Sequence, residues 1–107
     1  MNILLVYEHL PHLPWAKSIG LYGSWARGTN THESDLDIWI LVDEYTVDLE
    51  DTIAQFRHAL SQKIGYDVHI FILTPQKLRE LPSRDLPFYH EFKKDCCILR
   101  GEGIDFT

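Results

Sequence analysis

Alternating apolar and polar residues predict the strongest strand of the chain over residues 35–42. One face of this segment is wholly apolar, whereas the other begins with Asp35 and Asp37 and continues with Trp39 and Leu41. This pattern is typical of a central strand. The two acids give the strand a polar mouth at its beginning.

Apolar residues at helical spacing predict a helix over residues 49–64. Asp48 is the expected N-cap, since its carboxylate can accept from free backbone amides, and Gly65 can adopt the left-handed conformation that ends a helix. The alternation resumes over residues 66–73 and predicts a second strand. The predicted apolar face of the helix consists of Leu49, Ile53, Phe56, Leu60 and Ile64.

Shorter signals complete the pattern on both sides of these elements. A helix is expected at 75–81, where Thr74 precedes Pro75 as an N-cap. The other predicted elements are a helix at 2–9, a strand at 18–22, a turn-rich stretch at 27–34, a helix at 86–94 and a strand at 96–99. Together they predict an α+β (mixed α/β) fold with a small mixed sheet and helices packed mainly on one face. We expect a single domain over residues 1–107.

Composition narrows the functional classes. The 107 residues include 10 Lys and Arg against 16 Asp and Glu, a formal charge of −6. This acidic balance disfavours a protein that grips DNA along its phosphates. The apolar runs are too short to span a bilayer, and the N-terminus does not resemble a signal peptide. The adjacent Cys96 and Cys97 are typical of a reducing compartment, so a cytoplasmic protein is expected.

Three carboxylates carry the main candidate chemistry. Asp35 and Asp37 share one strand face, and Asp67 opens a second strand with a similar pattern. If the two strands pair side by side, all three carboxylates lie at one mouth. Three carboxylates at such short distances repel one another. The cluster therefore favours binding of a hard cation such as Mg²⁺. A lone Asp-x-Asp is most often a solvated turn, but here it begins an apolar strand.

Gly23 and Ser24 lie where a short strand ends and a turn begins. Glycine lets the backbone approach a ligand, and the Ser24 hydroxyl can donate to a phosphate oxygen. Arg27 could neutralise a phosphate or brace the loop, and bracing is the favoured interpretation. A phosphate site that faces a carboxylate–metal site is the arrangement that phosphoryl and nucleotidyl transfer require.

The combination of these motifs resembles a known family. Gly23-Ser24, then ten residues, then Asp35-x-Asp37 is similar to the signature of the DNA polymerase β-like nucleotidyltransferase superfamily. With Ala26-Arg27-Gly28 and Ser34, the segment resembles the minimal nucleotidyltransferases, the MntA-like antitoxins that accompany HEPT-domain toxins. The resemblance covers roughly residues 18–100 and implies the nucleotidyltransferase fold.

The resemblance also implies an activity and a set of roles. It implies transfer of AMP from ATP, with two Mg²⁺ ions, to a tyrosine hydroxyl of a HEPT-type RNase toxin. Asp35 and Asp37 would hold the metals, and Asp67 would complete the site and activate the acceptor. The implied nucleotide-binding residues are Gly23, Ser24, Arg27 and Ser34.

Several alternatives stay open. The chain could neutralise a toxin by binding alone, or it could transfer a nucleotide to a small molecule. An apolar patch at Trp39 and Phe71 is predicted to be a partner or homodimer interface, although cover by the C-terminal segment is about as plausible. His69 lies on the same strand face and is interpreted as a packed or surface histidine rather than a catalytic one.

Overall fold

The computed structural model describes residues 3–104, which form one mixed arrangement of helices and strands. In chain order the elements are α1 (Ile3–Glu8), β1 (Ser18–Tyr22), α2 (Gly23–Arg27), β2 (Leu36–Leu41), α3 (Val47–Ile64), β3 (Val68–Leu73), α4 (Pro75–Arg84), α5 (Leu86–Asp95) and β4 (Cys97–Gly101). Every predicted element is present within this range, and the predicted start of the first helix at residue 2 lies outside the described residues. None of the described helices is long and apolar enough to cross a membrane.

The strands form one sheet in the order β3-β2-β1-β4. β1 runs antiparallel to both β2 and β4, whereas β2 and β3 run parallel. A parallel pair needs a long crossover, and α3 supplies it. The first residues of β2 and β3 therefore lie together, beside the last residue of β1, at one end of the strands.

Helix α3 begins two residues earlier than the sequence pattern predicts. Its N-cap is Thr46, whose hydroxyl accepts from the Leu49 amide at 3.2 Å. The predicted cap, Asp48, lies inside the first turn, where its charge favours the positive end of the helix. Gly65 ends the helix in the left-handed conformation, as predicted.

Helices α4 and α5 follow each other directly. Thr74 caps α4 as predicted, but the helix extends through Pro82 to Arg84. Proline so close to a helix end interrupts little, because the helix stops within three residues. Asp85 then ends α4 and caps α5, accepting from the Phe88 amide at 3.1 Å.

Helices cover both faces of the sheet rather than mainly one. On the first face α1 and α3 pack on the alternating apolar residues of β2, with Val6, Phe56 and Leu60 buried there. On the second face Phe92 of α5 packs on Trp39 and Leu73. The mixed α+β fold itself is as predicted.

The predicted interface at Trp39 and Phe71 is wrong. Trp39 is 1 % exposed, and its indole nitrogen donates to the Leu21 carbonyl at 3.2 Å. Phe71 is half-buried against Phe88 and Phe92, with ring centroids 5.3 and 5.8 Å away. The C-terminal helix therefore covers this face within the chain, because its aromatic residues lie four apart and point to the same side.

Candidate active site

The turn after β1 presses its backbone against Asp37. Tyr22, the last residue of β1, pairs directly with Asp37 across the antiparallel ladder. Gly23 follows with φ of 74°, a conformation that favours glycine. A Cβ atom at Gly23 would lie 2.5 Å from the Asp37 carboxylate oxygen Oδ2. A side chain at Gly23 would therefore displace the Asp37 carboxylate.

The environment of Asp37 opposes its ionisation. Its side chain is 26 % exposed. Burial raises the pKa of Asp37 above its ordinary value. The positive charges of His69 and Arg27 lower this pKa, whereas the negative charge of Asp35 raises it further. A nearby cation would therefore stabilise the ionised form of the Asp37 carboxylate.

Asp35 and Asp67 lie side by side just before their strands begin. The Leu36 amide donates to the Asp67 carbonyl at 2.9 Å, which ties the two strand starts together. Both acids line the same two surface grooves, together with Ser61 of α3. Asp37 lines neither groove. The structure thus brings Asp67 to Asp35 rather than to Asp37.

The residue opposite Asp37 on β3 is His69. Its Nδ1 lies 3.7 Å from Asp37 Oδ1, and its side chain is 76 % exposed. Sequence reasoning gave this histidine a packing or surface role. Its position follows from the register of the parallel pair, which the alternation of residues alone does not determine.

Arg27, the last residue of α2, contacts the end of α5. Its guanidinium donates to the Asp95 carboxylate at the end of α5, at 2.7 Å. The Asp95 side chain is only 6 % exposed. Sequence reasoning missed Asp95, since nothing in the local pattern links two residues that lie 68 positions apart.

Ser34 stabilises the turn before β2. Its hydroxyl accepts from the Thr31 amide at 2.9 Å, and its carbonyl accepts from the Trp25 indole at 3.5 Å. These contacts hold the segment between the loop and the two acids. Ser24 lies in the first turn of α2 and is half-buried.

Tyr22 joins the site to the aromatic core of the second face. Its ring packs on Phe71, Phe88 and Phe92, with centroids 5.4 to 6.0 Å apart. Burial, together with the negative charge of Asp37, raises the pKa of Tyr22 to about 12. The tyrosine hydroxyl therefore stays protonated beside the acid.

A metal ion at this site would need ligands from a bound substrate. Within residues 3–104 no three His, Cys, Asp or Glu side chains are grouped so that they could hold a metal ion by themselves. Asp35 and Asp37 nevertheless share the face that meets Gly23. Oxygen donors beside a close backbone approach suit a cation that also binds phosphate oxygens.

Solved structures share this fold at low sequence identity. A crystal structure of a toxin–antitoxin with AMP-PNP matches with a TM-score of 0.59 and 21 % identity, over 94 % of this chain and 70 % of that one. A mutant of the toxin–antitoxin MntA-HpeT matches with a TM-score of 0.61 and 19 % identity, over 95 % of this chain and 75 % of that one.

Sequence comparison identifies the family. Comparison with curated proteins found no significant match. A family model of the nucleotidyltransferase domain, in contrast, matches residues 8–98, which include the Gly23 loop, both strand starts and all of α5. The chain therefore belongs to the nucleotidyltransferase domain family, and it is a nucleotidyltransferase.

Proposed function

We propose that the chain transfers AMP from ATP to a hydroxyl of a partner protein, a HEPT-type toxin, and that a tyrosine is the acceptor. The observation that carries the nucleotidyl-transfer part is the contact between Gly23 and Asp37. A loop whose backbone lies against a carboxylate can present a phosphate chain to a cation held by that carboxylate. The family match and the position of Asp35 on the same strand face support the same chemistry.

The donor set fits a divalent cation, with Mg²⁺ as the first candidate. Asp35 and Asp37 would hold it, and the resemblance assigns a third position to Asp67. When bound, the cation would neutralise phosphate charge and polarise the α-phosphorus. The raised pKa of Asp37 fits this role, because a cation would relieve the charge that burial opposes.

The chain's own residues would orient the reaction. Gly23 and Ser24 would bind the triphosphate, and Arg27 with Asp95 would hold that loop in place. The acceptor oxygen would attack the α-phosphorus, the bond to the β-phosphate oxygen would break, and pyrophosphate would leave. The acceptor proton would pass to a base at the mouth of β2 and β3.

The site is open where an acceptor would approach. β3 is an outer strand of the sheet, and His69 on it is largely exposed. A protein side chain could therefore reach Asp37 from that edge. That two solved structures of similar fold are described as toxin–antitoxin assemblies supports a toxin as the source of the acceptor.

Co-expression with a HEPT-type toxin tests the proposal. Intact-mass measurement of the toxin should show added AMP, and the addition should disappear with Asp37→Asn. The matched control is Glu102→Gln, an exposed carboxylate outside the site, which should leave the AMP addition unchanged.

The same experiment separates the alternatives. If the double variant Asp35→Asn with Asp37→Asn still neutralises the toxin in cells, the chain acts by binding alone. If purified chain labels a small hydroxyl compound with AMP and leaves the toxin unmodified, the acceptor is not a protein.

A further inference from the structure

We propose that the outer edge of β3 is the docking surface for the partner protein, and that the partner adds an extended segment to the sheet there. The inference rests on the proposed function, because it names the surface that delivers the acceptor hydroxyl to the site. The docked segment carries an acidic side chain for Lys77. Its end lies at the mouth where His69 faces Asp37.

The hydrogen bonds between β2 and β3 show which backbone groups of β3 point outwards. The Leu36 amide donates to the Asp67 carbonyl at 2.9 Å. The Val42 amide donates to the Leu73 carbonyl at 2.8 Å. In a parallel ladder, this phase turns the amides and carbonyls of the odd-numbered β3 residues towards β2 and those of the even-numbered residues away from it. The even-numbered residues are Val68, Ile70 and Ile72.

The outward groups of β3 are unpaired within residues 3–104. β3 is an outer strand with β2 on one side of it, and no hydrogen bond between described residues reaches the outward amides or carbonyls. A row of such groups is a template for an added strand. From Val68 to Ile72 the edge is about 13 Å long, which suits a docked segment of about five residues.

An apolar groove of about 400 Å³ follows the same edge. The β3 side chains in it are only half-buried, whereas the β2 residues that pair with them are buried. Alternate side chains of an added strand would fill this groove and cover the exposed apolar surface. The groove is lined by Tyr45, Ile70, Phe71, Ile72, Thr74 and Lys77.

Lys77 gives the groove a positive charge. Its Nζ lies 4.7 Å from the centroid of the Phe71 ring. None of the ion pairs between described residues includes Lys77, and no acidic side chain lines the groove. A carboxylate on the docked segment would therefore complement this charge.

The groove continues into the candidate active site. Val68 and His69, the next residues towards the start of β3, line a second groove that also contains Asp35 and Asp67. A segment that lies along the edge of β3 therefore passes from Lys77 to the strand starts. A hydroxyl at that end of the segment reaches the mouth of the site.

A second copy of the chain suits this edge less well than an extended segment of another protein. Antiparallel pairing of β3 with its own copy, centred on Ile70, sets His69 of one chain opposite Phe71 of the other. That arrangement closes the mouth at His69 in both chains, so neither chain could receive an acceptor. The proposed function requires the mouth to stay accessible.

Amide hydrogen exchange tests the docked strand directly. The full chain would be followed by NMR with and without the partner toxin, in the absence of ATP. In the free chain the Ile70 and Ile72 amides should exchange fast, whereas the Phe71 amide, which points to β2, should exchange slowly. Bound toxin should slow exchange at Ile70 and Ile72 by about tenfold or more. The Phe71 amide is the internal control.

A matched pair of variants tests the outward amide in the reaction. Ile70→Pro removes this amide, and proline is tolerated on an edge strand where the amide faces solvent. Ile70→Ala removes the same apolar side chain and keeps the amide. The KM for the toxin in AMP transfer should be about tenfold higher for Ile70→Pro than for Ile70→Ala. The KM for ATP should be the same in both, and a thermal scan checks that both are folded.

Charge reversal tests the acidic side chain and does not depend on the folding of Ile70→Pro. Lys77→Glu should raise the KM for the toxin about three- to tenfold and remove part of its salt dependence. The control is Arg79→Glu, an equal change at an exposed position of the same helix. It should leave the KM unchanged.

The outcomes separate this inference from the function on which it rests. Toxin binding that leaves exchange at Ile70 and Ile72 unchanged overturns the docking surface and leaves AMP transfer standing. Slower exchange at these amides as the concentration of the chain alone is raised means that a second copy occupies the edge, which also overturns the inference. Slower exchange with toxin, but no AMP on the toxin when ATP is added, overturns the proposed function and leaves the docking surface standing.

Discussion

Arg27 and Asp95 form an ion pair at 2.7 Å that ties the end of α2, the short helix directly after β1, to the end of α5. The carboxylate is almost fully buried, whereas the guanidinium is 42 % exposed. Helix α5 also packs its aromatic residues on Tyr22, immediately before Gly23. One helix therefore fixes both sides of the turn that would hold the nucleotide.

We expect Asp95→Ala to loosen this turn. The free energy of unfolding should fall by about 1–3 kcal/mol, since a charged hydrogen bond is lost at a buried position. Affinity for an ATP analogue should fall as well, because the Gly23 loop is no longer held. Urea denaturation and calorimetric titration measure the two effects.

The control for Asp95 is Glu80→Ala, which breaks the exposed pair with Arg84 at 3.4 Å. Exposed pairs contribute little, so the change should be under about 0.5 kcal/mol, and analogue affinity should not move. Equal effects of the two variants on stability and affinity would show that the Arg27–Asp95 pair has no positioning role.

Substitution of two glycines with nearly the same backbone conformation can separate the effect of backbone strain from that of a steric contact. Gly23 and Gly28 have φ of 74° and 76°. A Cβ at Gly28 would meet nothing within 4 Å, whereas one at Gly23 would meet Asp37. Gly28→Ala should therefore cost only the conformational penalty, about 1 kcal/mol.

Gly23→Ala should add a steric cost and displace the Asp37 carboxylate. We expect nucleotidyl transfer to fall at least about a hundredfold, the scale of a misplaced catalytic group. The Gly28 variant should keep most of the activity. Activity of Gly23→Ala that matched Gly28→Ala would mean that the close approach to Asp37 is not needed.

The sequence pattern predicted the order and type of the elements because burial acts on each element locally. The alternation that begins at Asp35 identified β2, and Gly65 ended α3 as expected. It did not show what covers Trp39, since that depends on the path of α5 in space. Nor did it show that His69 faces Asp37 or that Asp95 pairs with Arg27, because register and distant contacts are set by tertiary packing.

The burial of Trp39 makes it a stability residue. Its ring lies so close to β1 that a Cβ at Gly20 would be 2.4 Å from it and 2.0 Å from the Cys97 carbonyl oxygen. We expect Trp39→Ala to lower the free energy of unfolding by about 3–5 kcal/mol. Gly20→Ala should also destabilise the chain, by about 3 kcal/mol or more.

Chemical denaturation together with sedimentation tests this assignment. Both variants should unfold at a lower urea concentration than wild type. Because Trp39 is buried within the chain, the folded variants should sediment with the same oligomeric state as wild type. A Trp39→Ala chain with wild-type stability and altered self-association would restore the interface hypothesis.

The ionised Asp37 carboxylate should lower the stability of the folded chain at neutral pH. Burial raises its pKa above the ordinary 3.8. A carboxyl with a raised folded-state pKa contributes fully to stability below its unfolded pKa and loses that contribution as pH rises through the folded value. Asp37→Asn removes the ionisation, so the variant should be more stable than wild type at pH 7, by about 0.5–2 kcal/mol.

The gain should shrink as pH falls through the raised pKa of Asp37 towards 3.8. Urea midpoints of the two chains at a series of pH values between 7 and about 4 would measure it. Glu102→Gln, at an exposed position, should show no comparable gain. If the extra stability of Asp37→Asn stayed constant with pH, the ionised Asp37 carboxylate would not be what destabilises the wild-type chain. The lower stability of wild type would then have a cause other than the buried charge that a bound cation is proposed to neutralise.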